Sequence, residues 1–364
     1  MIAVVLVGGE GTRLRPLTYT TPKQLLPIVE TPMLERVLGH LATHGTKEAV
    51  LSLGYRPEAF TRAYPDGTVA GVSVTYAVEP EPLDTAGAIR FAARHAGIDE
   101  TFVVVNGDVL TDGDVSALIA FHARASASAT IYLSPVDDPS RFGVVATDQN
   151  GRVLAFVEKP PPDEAPTNLI NAGIYVIEPE VIDRIPEGRR VSVERETFPA
   201  LAADGVLFAL ADDAYWLDTG TPEAYLRAQT DLLDGTRGDP PTAGARRSAI
   251  GAWELGNPSV AGSVDRRSVV GDAARVEEGA TVTGSVVGAG CVVESGATVT
   301  GSVLLPGSRV EQKATVASSI LGHRAVIGSA GHVSSFSIIG DDLVVEAGSQ
   351  LVGARLPEVS PILG

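Results

Sequence analysis

The residues best placed to do chemistry come at the start of the chain. After an apolar run over residues 2–7, the sequence reads G-G-E-G-T-R-L-R-P-L-T-Y-T-T-P-K-Q-L-L-P. Gly8, Gly9 and Gly11 allow a tight turn that brings backbone close to a ligand. Successive exposed N–H groups in such a turn form a concavity suited to phosphate. Arg13, Arg15 and Lys23 put three positive charges within eleven residues of a chain whose net charge is −17. Glycines and cations directly after a first strand point to a nucleoside triphosphate. The spacing is neither the G-x-x-x-x-G-K-[ST] of a P-loop nor the G-x-G-x-x-G of a dinucleotide site.

Other candidates lie at the ends of apolar runs. F-V-V-V-N-G-D-V, from Phe102, reads as a buried strand ending in glycine and a carboxylate, Asp108. An acid at a strand's carboxyl edge is where a metal ligand belongs in a nucleotidyl-transfer site. F-V-E-K-P closes with Glu158 and Lys159, N-A-G-I-Y-V opens with Asn171 and Gly173, and Y-W-L-D-T-G-T holds Asp218. Asparagine offers both a donor and an acceptor, which suits vicinal hydroxyls.

The string G-G-x-G-T-R-L-x-P-L-T, then P-K, then L-P, resembles the signature of the sugar-1-phosphate nucleotidylyltransferases, also called nucleotide-sugar pyrophosphorylases. The resemblance covers nearly the whole chain. It implies that an NTP and a sugar 1-phosphate give an NDP-sugar and pyrophosphate. Arg13, Lys23, Asp108 and Asp218 would be catalytic, with Mg2+ on the two aspartates. Leu6, Gly8, Gly9, Gly11, Thr12, Glu79, Thr85, Ala86 and Gly107 would bind the nucleotide. Gly143, Glu158, Lys159, Asn171 and Gly173 would bind the sugar phosphate, with Lys159 on the phosphate and Glu158 on the hydroxyls. S-V-E-R-E-T-F-P, from Ser192, opens with a serine cap and matches a family helix whose implied role is structural, with Glu194 as a residue that could reach the sugar pocket.

The stretch V-E-P-E-P-L-D-T-A-G departs from the family's L-G-T-A-G: Asp84 stands where glycine is usual. Should that position need a positive φ, aspartate tolerates it better than most residues. Glu79 is suited to accept the N1 and N2 protons of guanine. The motif set looks most like the mannose-1-phosphate guanylyltransferases, favouring GTP and mannose 1-phosphate, whereas P-K-Q-L-L-P leans towards glucose-1-phosphate thymidylyltransferases. Uridylyl and adenylyl enzymes, a catalytically silent regulatory subunit, and a second acyltransferase activity in the tail stay open as alternatives.

The acidic balance argues against nucleic acid and anionic membranes as partners. A single cysteine, Cys291, excludes an internal disulfide, and with no run of eighteen apolar residues the expectation is a soluble cytoplasmic protein.

Positioning these motifs requires an α/β architecture. Strand-like runs at 2–7, 49–53, 72–77, 102–106, 129–133, 153–158 and 174–177 alternate with helical patterns at 33–44, 85–96 and 115–124. That alternation predicts a Rossmann-like, mostly parallel sheet flanked by helices over residues 1–234, with ligands beyond the strands' carboxyl ends. A Gly-, Pro- and Arg-rich linker is expected over 235–259. From there aliphatic residues recur every six positions: Val264, Val270, Val276 and Val282; Val287, Val293, Val299 and Leu305; Val310 and Val316; Leu321, Ile327, Val333, Ile339, Val345 and Leu351. Such hexapeptide repeats predict a parallel β-helix over 260–355, left-handed by its resemblance to the hexapeptide-repeat family, with about five coils. The expected role of this domain is scaffolding, through which the chain forms a homo-oligomer.

Overall fold

The computed structural model describes residues 1–237 and 240–358. They form two compact units: Met1–Gly9 with Leu34–Leu217, and Glu10–Met33 with the described residues from Asp218 onward.

The first unit is built on a ten-stranded sheet. Its strand Ile2–Leu6 is apolar throughout because it is covered on both faces, with Ala3, Val4 and Val5 fully buried. It pairs in parallel with Phe102–Asn106 and Glu48–Leu53, and Glu48–Leu53 pairs in parallel with Val72–Val78. Beyond Phe102–Asn106 the sheet turns antiparallel through Leu169–Ile177, Gly143–Thr147 and Val153–Glu158. Ala129–Pro135 runs antiparallel to Leu169–Ile177 and carries Leu207–Ala211 in parallel.

Helix Asp84–His95 packs Ala86, Ile89, Ala92 and Ala93 over Val4, Val50, Phe102 and Val104. Helix Met33–Thr43 buries Leu34, Val37, Leu38 and Leu41, spaced as one helical stripe. Each large aliphatic side chain buried in this way contributes roughly 1.5–3 kcal/mol.

Three strands of this sheet were not expected from sequence, Thr68–Val69, Gly143–Thr147 and Leu207–Ala211. The run expected at 174–177 is the end of a nine-residue strand, Leu169–Ile177. Its alternation is hidden because pairing with Ala129–Pro135 shifts register between Asn171 and Tyr175.

In the second unit three parallel stacks of short strands wind as a β-helix. The two six-stranded stacks give six coils among the described residues, against about five expected. Val287, Leu304 and Leu321 face inward in successive coils, so the inward slot expected at Leu305 belongs to Leu304. The stack begins inside the stretch expected as linker. Trp253–Glu254 pairs in parallel with Val269–Val270, and Arg246–Arg247 pairs with Trp253–Glu254. Trp253 stands level with Val269, outside the inward column, with the Arg247 guanidinium 3.7 Å from its ring, and Glu254 stands level with the inward Val270, so no aliphatic residue marks the slot there.

A column of buried serines runs through the coils. The hydroxyls of Ser268, Ser285 and Ser302 accept the N–H of Ser285, Ser302 and Ser319, each at 3.1 Å. Those of Ser285, Ser302 and Ser319 donate to carbonyls two residues back. Both hydrogen-bonding roles of Ser285 and Ser302 are thereby satisfied without water.

The segment Glu10–Met33 contributes three short turns, Thr12–Leu14, Leu17–Tyr19 and Lys23–Leu25. Helix Pro222–Leu233, not expected from sequence, starts at Thr221, whose side chain accepts the Ala224 N–H. Gln229 on this helix takes the Val29 N–H at 2.7 Å, and the Tyr225 hydroxyl donates to the Pro27 carbonyl at 2.5 Å. Among the described residues no helix is long and apolar enough to cross a membrane.

Candidate active site

Within the first unit the sheet register gathers the motifs at one edge. Leu6 lies opposite Asn106 on one side and Ser52 on the other, so the turns that follow these parallel strands leave from the same end. The Gly107 N–H donates to the Leu6 carbonyl at 3.0 Å, fixing the turn that carries Asp108. Glu79 sits beside the opening glycines: a Cβ on Gly8 would stand 3.3 Å from its Oε1, whereas one on Gly9 would meet nothing within 4 Å. The Glu79 carboxylate accepts from Ser52 Oγ at 3.0 Å and from the Leu83 N–H at 3.1 Å. A carboxylate has about four lone-pair sites, so acceptor capacity remains.

Asp84 takes a φ of 61°, the region a glycine would occupy, and its own Oδ1 accepts the Thr85 N–H at 2.8 Å. The Thr85 hydroxyl donates to Glu194 at 2.7 Å and accepts the Val193 N–H at 2.8 Å. Ala86 is fully buried, with its N–H on the Val191 carbonyl. Both residues, expected on the nucleotide, use these polar groups to brace the loop against 191–194.

The residues expected on the sugar phosphate form a row across three antiparallel strands. Gly143 lies opposite Glu158, and Val144 opposite Ile170, which puts Asn171 level with Gly143. The Asn171 side chain accepts the Gly173 N–H at 3.0 Å and donates to the Tyr175 hydroxyl at 2.9 Å. Burial first, then the charge of Glu194, pushes that phenol far above the ordinary tyrosine range; Glu158 and Asp108 add to the shift, and the Asn171 hydrogen bond opposes it. The charges of three carboxylates therefore bear on one buried hydroxyl. Glu194 stands on a π-helical turn, Val193–Thr197, a geometry common at functional sites. Lys159 pairs with Glu158 at 2.9 Å while its side chain stays 58% exposed. So exposed a pair is weak and would yield to a phosphate dianion.

Sequence reasoning passed over Trp216. Its indole N–H donates to the Ala172 carbonyl at 2.9 Å, and its ring meets Phe142 edge-on at 5.3 Å, bracing the N-A-G segment.

The second unit holds the remaining expected residues. Gly11, at φ 63°, gives its carbonyl to the Thr18 hydroxyl at 3.0 Å. A Cβ there would meet Thr18 at 2.9 Å and the Lys23 Cβ at 3.2 Å, so glycine is required by conformation and by space. Arg13 Nη2 lies 3.9 Å from Asp218 Oδ2, and the Gly220 N–H holds Asp218 Oδ1 at 2.7 Å. Thr12 precedes Arg13 on the same short turn.

Among the described residues no group of three or more His, Cys, Asp or Glu side chains forms a metal cage. A hard divalent cation held by one or two carboxylates and by substrate phosphates needs none. Asp218, with one oxygen fixed by a backbone N–H and the other turned to a cation, has the donor chemistry for that role.

A family model described as "Nucleotidyl transferase" matches residues 2–235, and one described as "GMPPB C-terminal domain" matches residues 264–357. A Mycobacterium tuberculosis protein named mannose-1-phosphate guanylyltransferase is 42% identical over 298 residues, covering 77% of this chain and 82% of that one. A protein of Oryza sativa subsp. japonica named probable mannose-1-phosphate guanylyltransferase 3 is 38% identical over 288 residues, covering 78% and 74%. Among solved structures, a putative glucose-1-phosphate thymidylyltransferase from Bacillus anthracis in complex with a sucrose matches at TM-score 0.56 and 26% identity, covering 63% of this chain and 94% of that one. HddC from Yersinia pseudotuberculosis complexed with GMP-PN matches at TM-score 0.55 and 30% identity, covering 63% and 97%.

Proposed function

Because this chain belongs to the nucleotidyl transferase family, we infer that it joins GTP and mannose 1-phosphate to give GDP-mannose and pyrophosphate. A phosphate oxygen of mannose 1-phosphate attacks the α-phosphorus of GTP in line. The bond from that phosphorus to the β-phosphate bridging oxygen breaks, and pyrophosphate carries the electron pair away. No protein nucleophile is needed, so catalysis is positioning and charge neutralisation.

Arg13 and Lys23 meet the charge of the triphosphate and its leaving group, with Gly8, Gly9, Gly11 and Thr12 lining the phosphates and Leu6 and Gly107 beneath them. Lys159 holds the sugar phosphate. Glu158, Asn171, Gly143 and Gly173 orient the sugar, with Glu194 beside them. Asp108 and Asp218 are the residues to hold Mg2+, which when bound supplies charge neutralisation between the reacting phosphates. Residues 1–234 would carry the chemistry, 235–259 the connection and 260–355 a scaffold through which copies associate, in the cytoplasm.

The observation that carries the base assignment is Glu79. Its carboxylate, fixed by Ser52 and Leu83 beside Gly8, is an acceptor pair. Guanine presents adjacent N1 and N2 donors to it, an edge that adenine, uracil and thymine lack. The test is pyrophosphate release from four NTPs against mannose, glucose and N-acetylglucosamine 1-phosphates with magnesium. GTP with mannose 1-phosphate should exceed every other pair in kcat/KM by at least ~10-fold. A best rate with dTTP and glucose 1-phosphate would overturn the assignment.

A further inference from the structure

Within the second unit, the last coil of the β-helix is stitched to the loop that carries Arg13. Arg355, on strand Arg355–Leu356, donates from Nη1 to the carbonyl of Arg13 at 2.6 Å and to that of Arg15 at 3.1 Å. The Thr20 hydroxyl donates to Asp341 at 2.7 Å, and the Tyr19 hydroxyl to the Glu358 carbonyl at 3.1 Å. A Cβ on Gly340 would stand 3.3 Å from Pro16 Cγ, so the coil backbone packs closely against the Pro16 ring there.

Regular secondary structure in residues 12–25 is sparse. It consists of single 3-10 turns, whose hydrogen bonds have poorer geometry than those of an α-helix. The coil is the stiffer partner, because Ile338–Ile339 and Arg355–Leu356 continue a stack of eight strands. The Arg13 side chain is 54% exposed, lies 3.9 Å from Asp218, and faces a cavity of about 440 Å3 that Arg15 and Arg355 also line. Packing therefore does not fix the guanidinium; the backbone beneath it does, and Arg355 grips that backbone on either side of Leu14.

We propose that Arg355 is a positioning residue for nucleotidyl transfer: its bonds to the Arg13 and Arg15 carbonyls tie the triphosphate-binding loop to the β-helix and set the Arg13 guanidinium. The β-helix thereby acts on the chemistry as well as serving as a scaffold. This role rests on the transferase reading above.

The test uses the full chain and two variants. Arg355→Met keeps the apolar stem and deletes both donors, and Arg355→Lys restores a cation that can reach the carbonyls. R355M should lower kcat/KM for GTP by ~10- to 100-fold, the cost of a misplaced charged group, while KM for mannose 1-phosphate stays within ~2-fold. R355K should fall between R355M and the parent. Hydrogen exchange supplies a reading that needs no turnover: amides of residues 12–25 should exchange faster in R355M, and those of 49–53 should not change. Parental kinetics in R355M, or unchanged exchange over 12–25, overturns the proposal; if R355M does not fold, Arg355→Gln, whose shorter side chain falls short of both carbonyls, is read for the same two outcomes. A parent inactive with every substrate pair, in which R355M still loosens 12–25, sinks the transferase reading rather than the clamp.

Discussion

Arg13 and Asp218 face each other at 3.9 Å, with side chains 54% and 28% exposed, across the backbone of Gly220. An ion pair so long and so accessible contributes little to stability. Its significance is spatial: in the roles proposed for them, a cation for phosphate and a carboxylate for metal stand side by side. The Gly220 N–H fixes the carboxylate, and the missing side chain leaves room for the guanidinium.

Gly220→Ala tests that arrangement without removing either charge. An added Cβ would lie 2.5 Å from Arg13 Nη2 and 2.9 Å from Asp218 Oδ1, so the mobile guanidinium must move. Turnover should fall by ~10-fold or more, as expected for displaced transition-state donors. Stability should change by no more than about 1 kcal/mol, because no core side chain is involved. Steady-state kinetics beside a urea titration reads both.

Glu79→Gln tests base recognition. An amide retains one acceptor but turns a donor towards guanine's donor edge. Discrimination between GTP and ITP, whose base lacks the N2 amine, should shrink by ~10-fold or more in E79Q, since an unpaired buried donor is what sets such ratios. Competition between the two nucleotides measures it. An unchanged ratio would remove Glu79 from the base site.

Glu30 gives a pH signature. Burial against the β-helix raises its carboxyl above the ordinary value, partly opposed by the Ala289 N–H, and its charge in turn bears on Tyr225 and on Cys291, whose buried thiol is pushed up to about 11. Between its unfolded and folded pKa values the folded state binds more protons, so stability falls as pH rises through that window. Glu30→Gln keeps an acceptor for Ala289 and removes the charge. Its Tm should exceed the parent's at pH 7, with the gap closing as the pH falls towards 4; a constant gap would contradict the assignment.

Much of the site was legible because its residues punctuate apolar strands. Asp108 and Asn171 could be placed from four or five neighbours each, and Asp84 takes the positive φ that its place in a glycine position suggested. Parallel register then carries motifs far apart in sequence to one edge. What could not be read were bonds between segments with no shared period. Tyr225 and Gln229 hold Pro27 and Val29 from some two hundred residues away. Arg355 holds Arg13 from 342 away. The serine column was hidden because serine at every seventeenth or eighteenth position looks like ordinary small-residue filler in a hexapeptide repeat. The first coil was hidden for another reason: Glu254, not an aliphatic residue, stands level with the inward Val270, and Trp253 lies outside that column.

The central proposal is that Asp108 and Asp218 would both hold Mg2+ for the transfer. A double-mutant cycle with Asp108→Asn and Asp218→Asn, read as kcat with GTP and mannose 1-phosphate across a magnesium titration, tests it most directly. Each single variant should lose ~100-fold or more, and the double variant should lose little beyond the worse single one, since groups acting as a unit are not additive. Losses that simply multiply, or a single variant with parental turnover and magnesium dependence, would contradict the account.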